Sequence, residues 1–507
     1  MSQTKIQRAL ISVYHKDGLE PLIKYLHQNK VIIYSTGGTQ QFIESLQIPV
    51  ERIETLTGYP SILDGRVKTL HPKVFGGILG RKDREDDVRT LEELGIPFFD
   101  LIIVDLYPFE DTLASTSDEG AIIEKIDIGG VSLIRAAAKN YKHTLICCAR
   151  ADYADLLQLL EAQQCQSDLA SRKQYATKAF ALTSHYDSRI WQYFNSGQDE
   201  SVLRLSMNEV THLRYGENPH QKGAFFGRIQ DVITQLNGKE LSYNNILDID
   251  ASINLMNEFE EQTIAIIKHT NACGVAQDPN QVDCWKKALA GDPVSAFGGI
   301  IISNRALDLD TAKLIDDIFF EVIIAPAYHR DALEILKRKK NRIILEWTPK
   351  NPYNKSVRSS LNGFLVQDAD LASSTRDQLT CVTIKQPSDK ERDEFLFAEK
   401  ICKHLKSNTI VLTKGKQLLG MGCGQTSRVD ALKQAISKAH SFGFDLQGAT
   451  MASDAFFPFP DCVEIAHQAG ISLVIQPGGS IKDQDSTDYC NRNNMCMVHT
   501  GTRHFKH

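Results

Sequence analysis

The chain has 507 residues, enough for about three folding units at roughly 100–200 residues each. Its 57 basic and 63 acidic side chains leave a net charge of −6, which argues against a nucleic-acid partner held through a broad basic face. Hydrophobic residues at 42% and charged residues at 24% describe an ordinary globular protein, neither disordered nor fibrous.

The first elements alternate between strand and helix. Ala9–Tyr14 is apolar and β-rich, and from Asp17-Gly18 onward Leu19, Leu22, Ile23 and Leu26 recur at helical spacing. A second short apolar run, Val31–Tyr34, ends directly in Ser35-Thr36-Gly37-Gly38-Thr39. Hydroxyl and glycine residues between a strand and a helix can turn several backbone N–H groups toward one phosphate; two glycines there also suit a plain packing turn. Asp64-Gly65-Arg66-Val67-Lys68-Thr69-Leu70-His71-Pro72 follows. In extended chain Arg66 and Lys68 would point the same way, as two cations on a ligand or as an exposed basic loop. Leu101–Leu106 reads as a buried strand, with Tyr107 just after it, where α/β proteins usually place ligands. Asp127-Ile128-Gly129-Gly130 leads into a helical stretch from Val131 to Asn140. On that helix Arg135 and Lys139 lie four apart, where like charges repel unless an anion or solvent intervenes. Strands alternating with helices imply a parallel sheet covered by helices.

The polar, turn-rich segment around residues 196–201 is expected to separate two domains. Beyond it strand-like runs recur at Thr263–Ile267, Gly299–Ile302, Val322–Ala325, Thr409–Leu412 and Ile471–Ile475. A polar stretch from Pro349 to Gly363 could be a surface loop or a boundary between two α/β halves. The Lys337–Lys340 run reads as a solvated helix end. Lys268-His269 directly follows an apolar strand, and a histidine beside an ammonium can combine a base with charge stabilisation. Asp454–Asp461 sets three phenylalanines and two prolines between carboxylates, which could wall a flat ligand or fill a core. Gly420–Arg428 is glycine-rich but is not a dinucleotide fingerprint.

The apolar stretch near the N-terminus is too short for a signal-peptide core, and no run approaches the roughly 18 residues of a membrane span. The 11 cysteines are scattered and form no Cys-x-x-Cys. Reduced thiols and a cytoplasmic location are expected, with no metal.

Taken together the motifs resemble one family over nearly the whole chain. It is the family of bifunctional purine-biosynthesis enzymes that join phosphoribosylaminoimidazolecarboxamide (AICAR) formyltransferase to inosine monophosphate (IMP) cyclohydrolase. Ser-Thr-Gly-Gly-Thr, Gly-Arg-Val-Lys-Thr-Leu-His-Pro, Leu-Tyr-Pro-Phe and Asp-Ile-Gly-Gly-Val, in that order, are similar to the cyclohydrolase part. Leu213–Gln221, Lys268-His269, Ser295–Gly299, Ser453–Phe459 and Arg503–His507 are similar to the transformylase part. The resemblance implies a parallel-sheet, methylglyoxal-synthase-like domain over residues 1–197. It implies a transformylase domain of two cytidine-deaminase-like α/β/α halves over residues 202–507.

It also implies formyl transfer from 10-formyltetrahydrofolate to AICAR, then dehydrative ring closure to IMP, in a homodimer and without a catalytic metal. Small-molecule nucleotide and folate substrates follow, with no nucleic acid and no membrane. For formyl transfer the matching positions are His269 for proton movement and Lys268 for transition-state charge. Arg214, Tyr215, Phe297, Gly298, Glu321 and Asn408 would bind the nucleotide or shape its site, together with Phe456, Asp461, Ser480 and Arg503. Arg428 and Val429 would hold folate. For ring closure the resemblance assigns proton transfer to Lys139, with Lys68, Tyr107 and Asp127 around the reacting atoms. Tyr14, His15, Lys16, Thr36, Gly37, Gly38 and Thr39 match the nucleotide pocket, as do Arg66, Val67, Thr69, Val104, Asp105 and Ile128.

Some positions depart from the family pattern. Tyr14-His15 stand where Ser-Asp is common, Asp105 replaces an asparagine, Phe75 a histidine and Ala272 a proline. Asp105 matters most, since a carboxylate facing a phosphate would repel it. A nucleotide sensor that kept the fold but lost the chemistry is the alternative, and the intact Lys68, Tyr107, Asp127, Lys139, Lys268 and His269 argue against it. A zinc nucleoside deaminase fails, because no His-x-Glu precedes a Pro-Cys-x-x-Cys.

Overall fold

The computed structural model describes residues 3–196, 202–348 and 354–507, and the chain divides into two units, Met1–Asn208 and Glu209–His507. The expected domain boundary falls largely on residues 197–201, outside the described residues. Residues 202–208 group with the N-terminal unit: Ser206 bonds His185 at 2.9 Å and the Arg204 guanidinium lies 5.4 Å from the Trp191 ring.

In the N-terminal unit β1 (Arg8–Ser12), β2 (Ile32–Ser35), β3 (Glu51–Arg52), β4 (Leu101–Val104) and β5 (Leu145–Cys147) form a parallel sheet in the order β3-β2-β1-β4-β5. The central strands carry Leu10, Ile11, Ile102 and Ile103, all fully buried, because helices cover the sheet and leave no wet face for alternation. The strand order reverses between β1 and β4. At such a switch point the connections leave toward opposite faces and open a crevice at the carboxyl ends of the strands. Helix Gly37–Ser45 starts directly after β2. Helix Gly129–Lys139 packs its Leu133, Ile134 and Ala137 face against the core.

The C-terminal unit holds two six-stranded mixed sheets. The first contains β6 (Ile233–Asn237), β7 (Thr263–Lys268), β8 (Asn271–Gln277), β9 (Ile300–Ser303), β10 (Val322–Ala325) and β11 (Ile343–Trp347), in the order β6-β11-β10-β9-β7-β8. The second contains β12 (Thr380–Cys381), β13 (Ile410–Thr413), β14 (Leu418–Gly422), β15 (Thr450–Ser453), β16 (Leu473–Gln476) and β17 (Cys496–His499), in the order β12-β17-β16-β15-β13-β14. Strand for strand the two orders and directions are the same. Each hairpin has a register shift just before its turn, at Ile266/Ile267 and at Leu412/Thr413.

The sheets meet through an antiparallel bridge between Ala276 and Gln417, so β8 and β14 run in opposite directions side by side. The turn end of the first half therefore lies beside the opposite edge of the second. Glycines permit the close approach of helix to strand. A Cβ on Gly422 would come 2.0 Å from the Ala431 carbonyl oxygen, and one on Gly274 equally close to that of Ala288. The glycine-rich Gly420–Arg428 segment thus serves packing along β14. Of the polar stretch from Pro349, residues 349–353 lie outside the described residues; from Lys355 it forms an exposed antiparallel hairpin, Lys355–Ser360 with Gly363–Asp368, between the two halves. Among the described residues no helix is long and apolar enough to cross a membrane.

Candidate active sites

The first site is built at the carboxyl ends of β1, β2 and β4. Thr36 precedes helix Gly37–Ser45 in extended conformation, and no side chain caps the helix, so its first N–H groups stay open. Gly37 is left-handed at φ +56°. The Lys68 ammonium lies 3.4 Å from where a Gly37 Cβ would stand, and that of Lys16 3.9 Å from the Gly38 equivalent. Two ammonium groups beside an open helix N-terminus make an anion cradle. The hydroxyls around it are already engaged: Thr36 donates to Glu54 at 2.7 Å, and Thr39 is buried, exchanging bonds with the Val13 backbone at 2.9 and 3.0 Å.

Asp105 turns away from the cradle. Its carboxylate accepts from the backbone N–H groups of Tyr14 and His15, and the His15 ring lies 2.9 Å from it. It thereby ties β1 to β4 across the switch point. Next to it, Tyr14 and Tyr107 meet edge to face at 5.6 Å, with the Lys125 ammonium over both rings at 5.3 and 5.6 Å. Asp127 caps the helix behind them, accepting from Gly130 N–H at 2.6 Å, and its own N–H donates to the Tyr186 hydroxyl at 2.8 Å. Burial pushes the Asp127 carboxyl above its usual range against the backbone N–H groups that it accepts from. Burial, with Asp127 and Tyr14 nearby, raises the Tyr107 phenol as well, so it stays a proton donor near neutral pH. Thr69 reaches the start of the same helix, its hydroxyl 3.3 Å from a Cβ placed on Gly129.

Not every expected residue faces this crevice. Val104 is buried in the sheet, so only its backbone could meet a ligand. Arg66 pairs with Glu124, Val67 bonds back to Ile62, and Ile128 is exposed. Lys139 is also exposed but sits at the far end of helix Gly129–Lys139. Ten residues of helix put it about 15 Å from Gly129 along the axis.

The second site lies on one edge of the paired sheets. A cavity of about 200 Å³ is lined by Arg214, Tyr215, Lys268, His269, Gly298 and Glu321, and also by Lys239, Asn245 and Asp248, which sequence reasoning missed. The Lys268 ammonium donates to the Phe297 carbonyl at 2.8 Å, and Asn245 donates to Glu321 at 3.0 Å. Asn271 joins this cluster to the second half: its side-chain oxygen accepts from Lys406 N–H at 3.4 Å, and the Cys423 thiol lies 3.5 Å away. Asn408 continues the line, donating to the Gln425 carbonyl at 2.9 Å.

Arg428 is turned to Ser453 and Asp454, at 3.3 Å each, and its guanidinium shares the Phe505 ring with that of Arg503. Val429 follows it in the first turn of helix Arg428–Ser441. Asp461 caps its own helix through Cys462 N–H, and Ser480 accepts from Lys482 N–H. The Asp454–Asp461 stretch divides its phenylalanines: Phe457 is in the core, while Phe456 and Phe459 are exposed.

Comparison with known proteins gives the family of the chain. The family model described as "AICARFT/IMPCHase bienzyme" matches residues 137–438, and that of an "MGS-like domain" matches residues 18–132. The "Bifunctional purine biosynthesis protein PurH" of Bacteroides thetaiotaomicron is 58% identical, with 100% of both chains covered. The chain belongs to the AICARFT/IMPCHase bienzyme family. The protein of the same name from Acetivibrio thermocellus is 46% identical over 99% of this chain and 100% of its own, and that of Chlorobium phaeobacteroides 44% over the whole of both. A solved structure titled "Crystal structure of ForH" aligns to 38% of this chain and 100% of its own, at 34% identity and a TM-score of 0.34. As a member of the bienzyme family the chain is an AICAR formyltransferase and an IMP cyclohydrolase of purine biosynthesis.

The residues that sequence reasoning missed left a weak signal. Asp248 is a single acidic residue between Leu247 and Ile249 on a helix, and such a residue reads as part of a solvated face. Lys239 lies in a turn, and nothing local distinguishes it from any exposed lysine.

Proposed function

We propose that the N-terminal unit closes the ring and the C-terminal unit transfers the formyl group, with 10-formyltetrahydrofolate as donor. The 5-amino group of AICAR is a poor nucleophile, because its lone pair is delocalised into the imidazole and carboxamide. In the proposed step this nitrogen bonds the formyl carbon while the bond from that carbon to N10 of the folate breaks. His269 accepts the proton that the amine loses, and N10 gains one as tetrahydrofolate leaves. Lys268, steadied by its bond to Phe297, meets the negative charge that develops on the formyl oxygen. Glu321, Arg214 and Tyr215 hold the nucleotide in the same cavity. Phe297, Gly298, Asn408, Phe456, Asp461, Ser480 and Arg503 complete the site, with Arg428 and Val429 toward the folate.

Ring closure joins two parts of one molecule, so holding the carboxamide nitrogen against the formyl carbon supplies much of the rate. The Gly37-Gly38 turn with Lys16 and Lys68 takes the phosphate. The protonated Tyr107 and the half-dry Asp127 face the reacting atoms, from which water is lost. Lys139 is too distant in its own chain, and in this reading it serves the crevice of a second copy. A homodimer is supported by the exposed hairpin as well, whose Val357, Leu361, Phe364 and Leu365 are open to solvent; a two-stranded hairpin standing alone is marginal in water. The protein works in the cytoplasm.

The observation that carries the reading is the Lys268-His269 pair in a cavity beside Arg214, Tyr215 and Glu321, within a chain of this family. The purified protein should convert AICAR and 10-formyltetrahydrofolate to IMP, followed by absorbance. His269→Ala should lose formyl transfer by about a hundredfold or more while still cyclising supplied formyl-AICAR. No turnover by the parent protein would overturn the enzyme reading. Loss of both steps in a folded His269→Ala protein would overturn the division between the units.

A further inference from the structure

β7 and β8 are joined by a two-residue loop, His269-Thr270, with both residues left-handed at φ +51° and +62°. A turn of this kind follows the twist of the strands, but it favours Asn-Gly and Gly-Gly, because a side chain there crowds its own backbone. A histidine followed by a β-branched threonine is a poor filling. The matching loop of the second half, Gly415-Lys416, puts a glycine at one of the two left-handed positions. Something outside the loop must therefore hold His269 and Thr270 in place.

Asp248, on helix Tyr243–Met256, does so. Its carboxylate accepts from Thr270 N–H at 2.6 Å and also bonds the His269 backbone N–H. On the other side of the turn, the Thr270 hydroxyl and the Asn271 amide both donate to the His269 carbonyl, at 2.7 and 2.8 Å. Asp248 is half-buried and lines the cavity with His269. The charged groups facing that cavity with it are Arg214, Lys239, Lys268 and Glu321. Burial pushes its carboxyl up, while the turn N–H groups and the His269 charge pull it down.

We propose that Asp248 is a positioning residue for formyl transfer: its carboxylate holds the His269-Thr270 turn, and with it the His269 imidazole, in the place from which it acts on the amine. The inference rests on the assignment of proton transfer to His269.

Both reactions of the same protein serve in the test, ring closure acting as the folding control. Asp248→Ala should lower kcat for formyl transfer about a hundredfold, change KM for AICAR less than about threefold, and leave cyclisation of formyl-AICAR at the parent rate. Adding Thr270→Gly should restore at least about tenfold of that loss, because glycine takes a positive φ freely. Asp248→Asn keeps an acceptor oxygen and removes the charge. The turn is then still held, and kcat for formyl transfer should stay within about fivefold of the parent. A kcat within about twofold of the parent in Asp248→Ala would overturn the proposal. So would a kcat in Asp248→Asn about a hundredfold below the parent with ring closure intact, a comparison that stands even if Asp248→Ala loses ring closure. If His269→Ala keeps formyl transfer, the role of His269 itself falls. If His269→Ala is inactive and Asp248→Ala is not, only the role of Asp248 falls.

Discussion

A carboxylate at position 105 would repel a phosphate if it faced the Gly37-Gly38 turn, and a sequence does not say which way a side chain faces. In the folded chain it accepts from two backbone N–H groups and pairs with His15, so its charge is used between β1 and β4 and not on the ligand. The substitution at position 15 and that at position 105 therefore belong together. Replacing Asp105 by alanine should take the acceptor from the partly buried Tyr14 and His15 N–H groups, at about 1 kcal/mol for each. Urea unfolding of the N-terminal unit should shift accordingly, and KM for formyl-AICAR should rise as the Tyr14–Lys16 segment loosens. An unchanged midpoint would mean that water reaches these groups. The glycines and Lys68 were legible because their residue types are unusual where they stand. Thr39 was less so: its hydroxyl fits a phosphate as well as it fits the Val13 backbone, and only the fold decides between them.

Among the elements, strands buried on both faces announced themselves. Thr263–Lys268, Val322–Ala325 and Ile410–Thr413 are continuous apolar runs because helices or other strands cover each side. Asn271–Gln277 and Leu418–Gly422 escaped notice, since glycines admitting a helix backbone dilute their pattern. Helix Asp389–Lys403 showed no sign of the buried ion cluster that it builds with Glu258. There Lys403, only 4% exposed, bonds Glu258 at 2.7 Å, while Ser373 donates from the connecting segment at 2.6 Å. Burial alone would raise the Glu258 pKa, but the bonds from His404, Lys403 and Ser373 outweigh it and hold the carboxyl at about 2. Burial keeps the His404 imidazole below its usual value against the pull of Glu258, so Lys403 supplies the cation of the cluster.

A carboxyl whose folded pKa lies below its unfolded one adds stability above the unfolded value and loses it as pH falls toward the folded one. The Glu258 contribution, roughly 3 kcal/mol, should therefore be complete near neutral pH and fade between about pH 4.5 and pH 2. Glu258→Gln strands a buried ammonium. Its deficit in Tm against the parent should be large near pH 7 and shrink near pH 3. A deficit that did not vary with pH would show that packing, and not charge, accounts for the loss.

At the scale of the whole molecule, the lesson lies in which residues one chain can gather. The two halves of the C-terminal unit repeat one topology but lie side by side in reverse, joined through β8 and β14. The turn of β7–β8 therefore shares an edge with the carboxyl ends of β15, β16 and β17. Lys268 and His269 thus come onto the same edge as Asn408, Phe456, Ser480 and Arg503, although the motifs stand far apart in sequence. No periodicity reveals this, because the halves share strand order and not residues. The N-terminal unit shows the opposite case: Lys139 shares a helix with Gly129, yet helix rise carries it about 15 Å away.

If Lys139 serves a second copy, two inactive chains can repair each other. Lys139→Ala and Asp127→Asn, each alone, should lose ring closure by about a hundredfold. Co-expressed with different tags and purified as the mixed dimer, the first chain offers an intact Asp127 and receives Lys139 from the second. One of the two crevices is then complete, and about half of the parent ring-closing rate should return. If Lys139 acts within its own chain, both crevices of the mixed dimer lack one group and nothing returns. Formyl transfer should stay at the parent rate in both single variants and in the mixture, which separates a failed ring closure from a failed assembly. Sedimentation of the parent protein as a monomer at working concentration would remove the premise altogether.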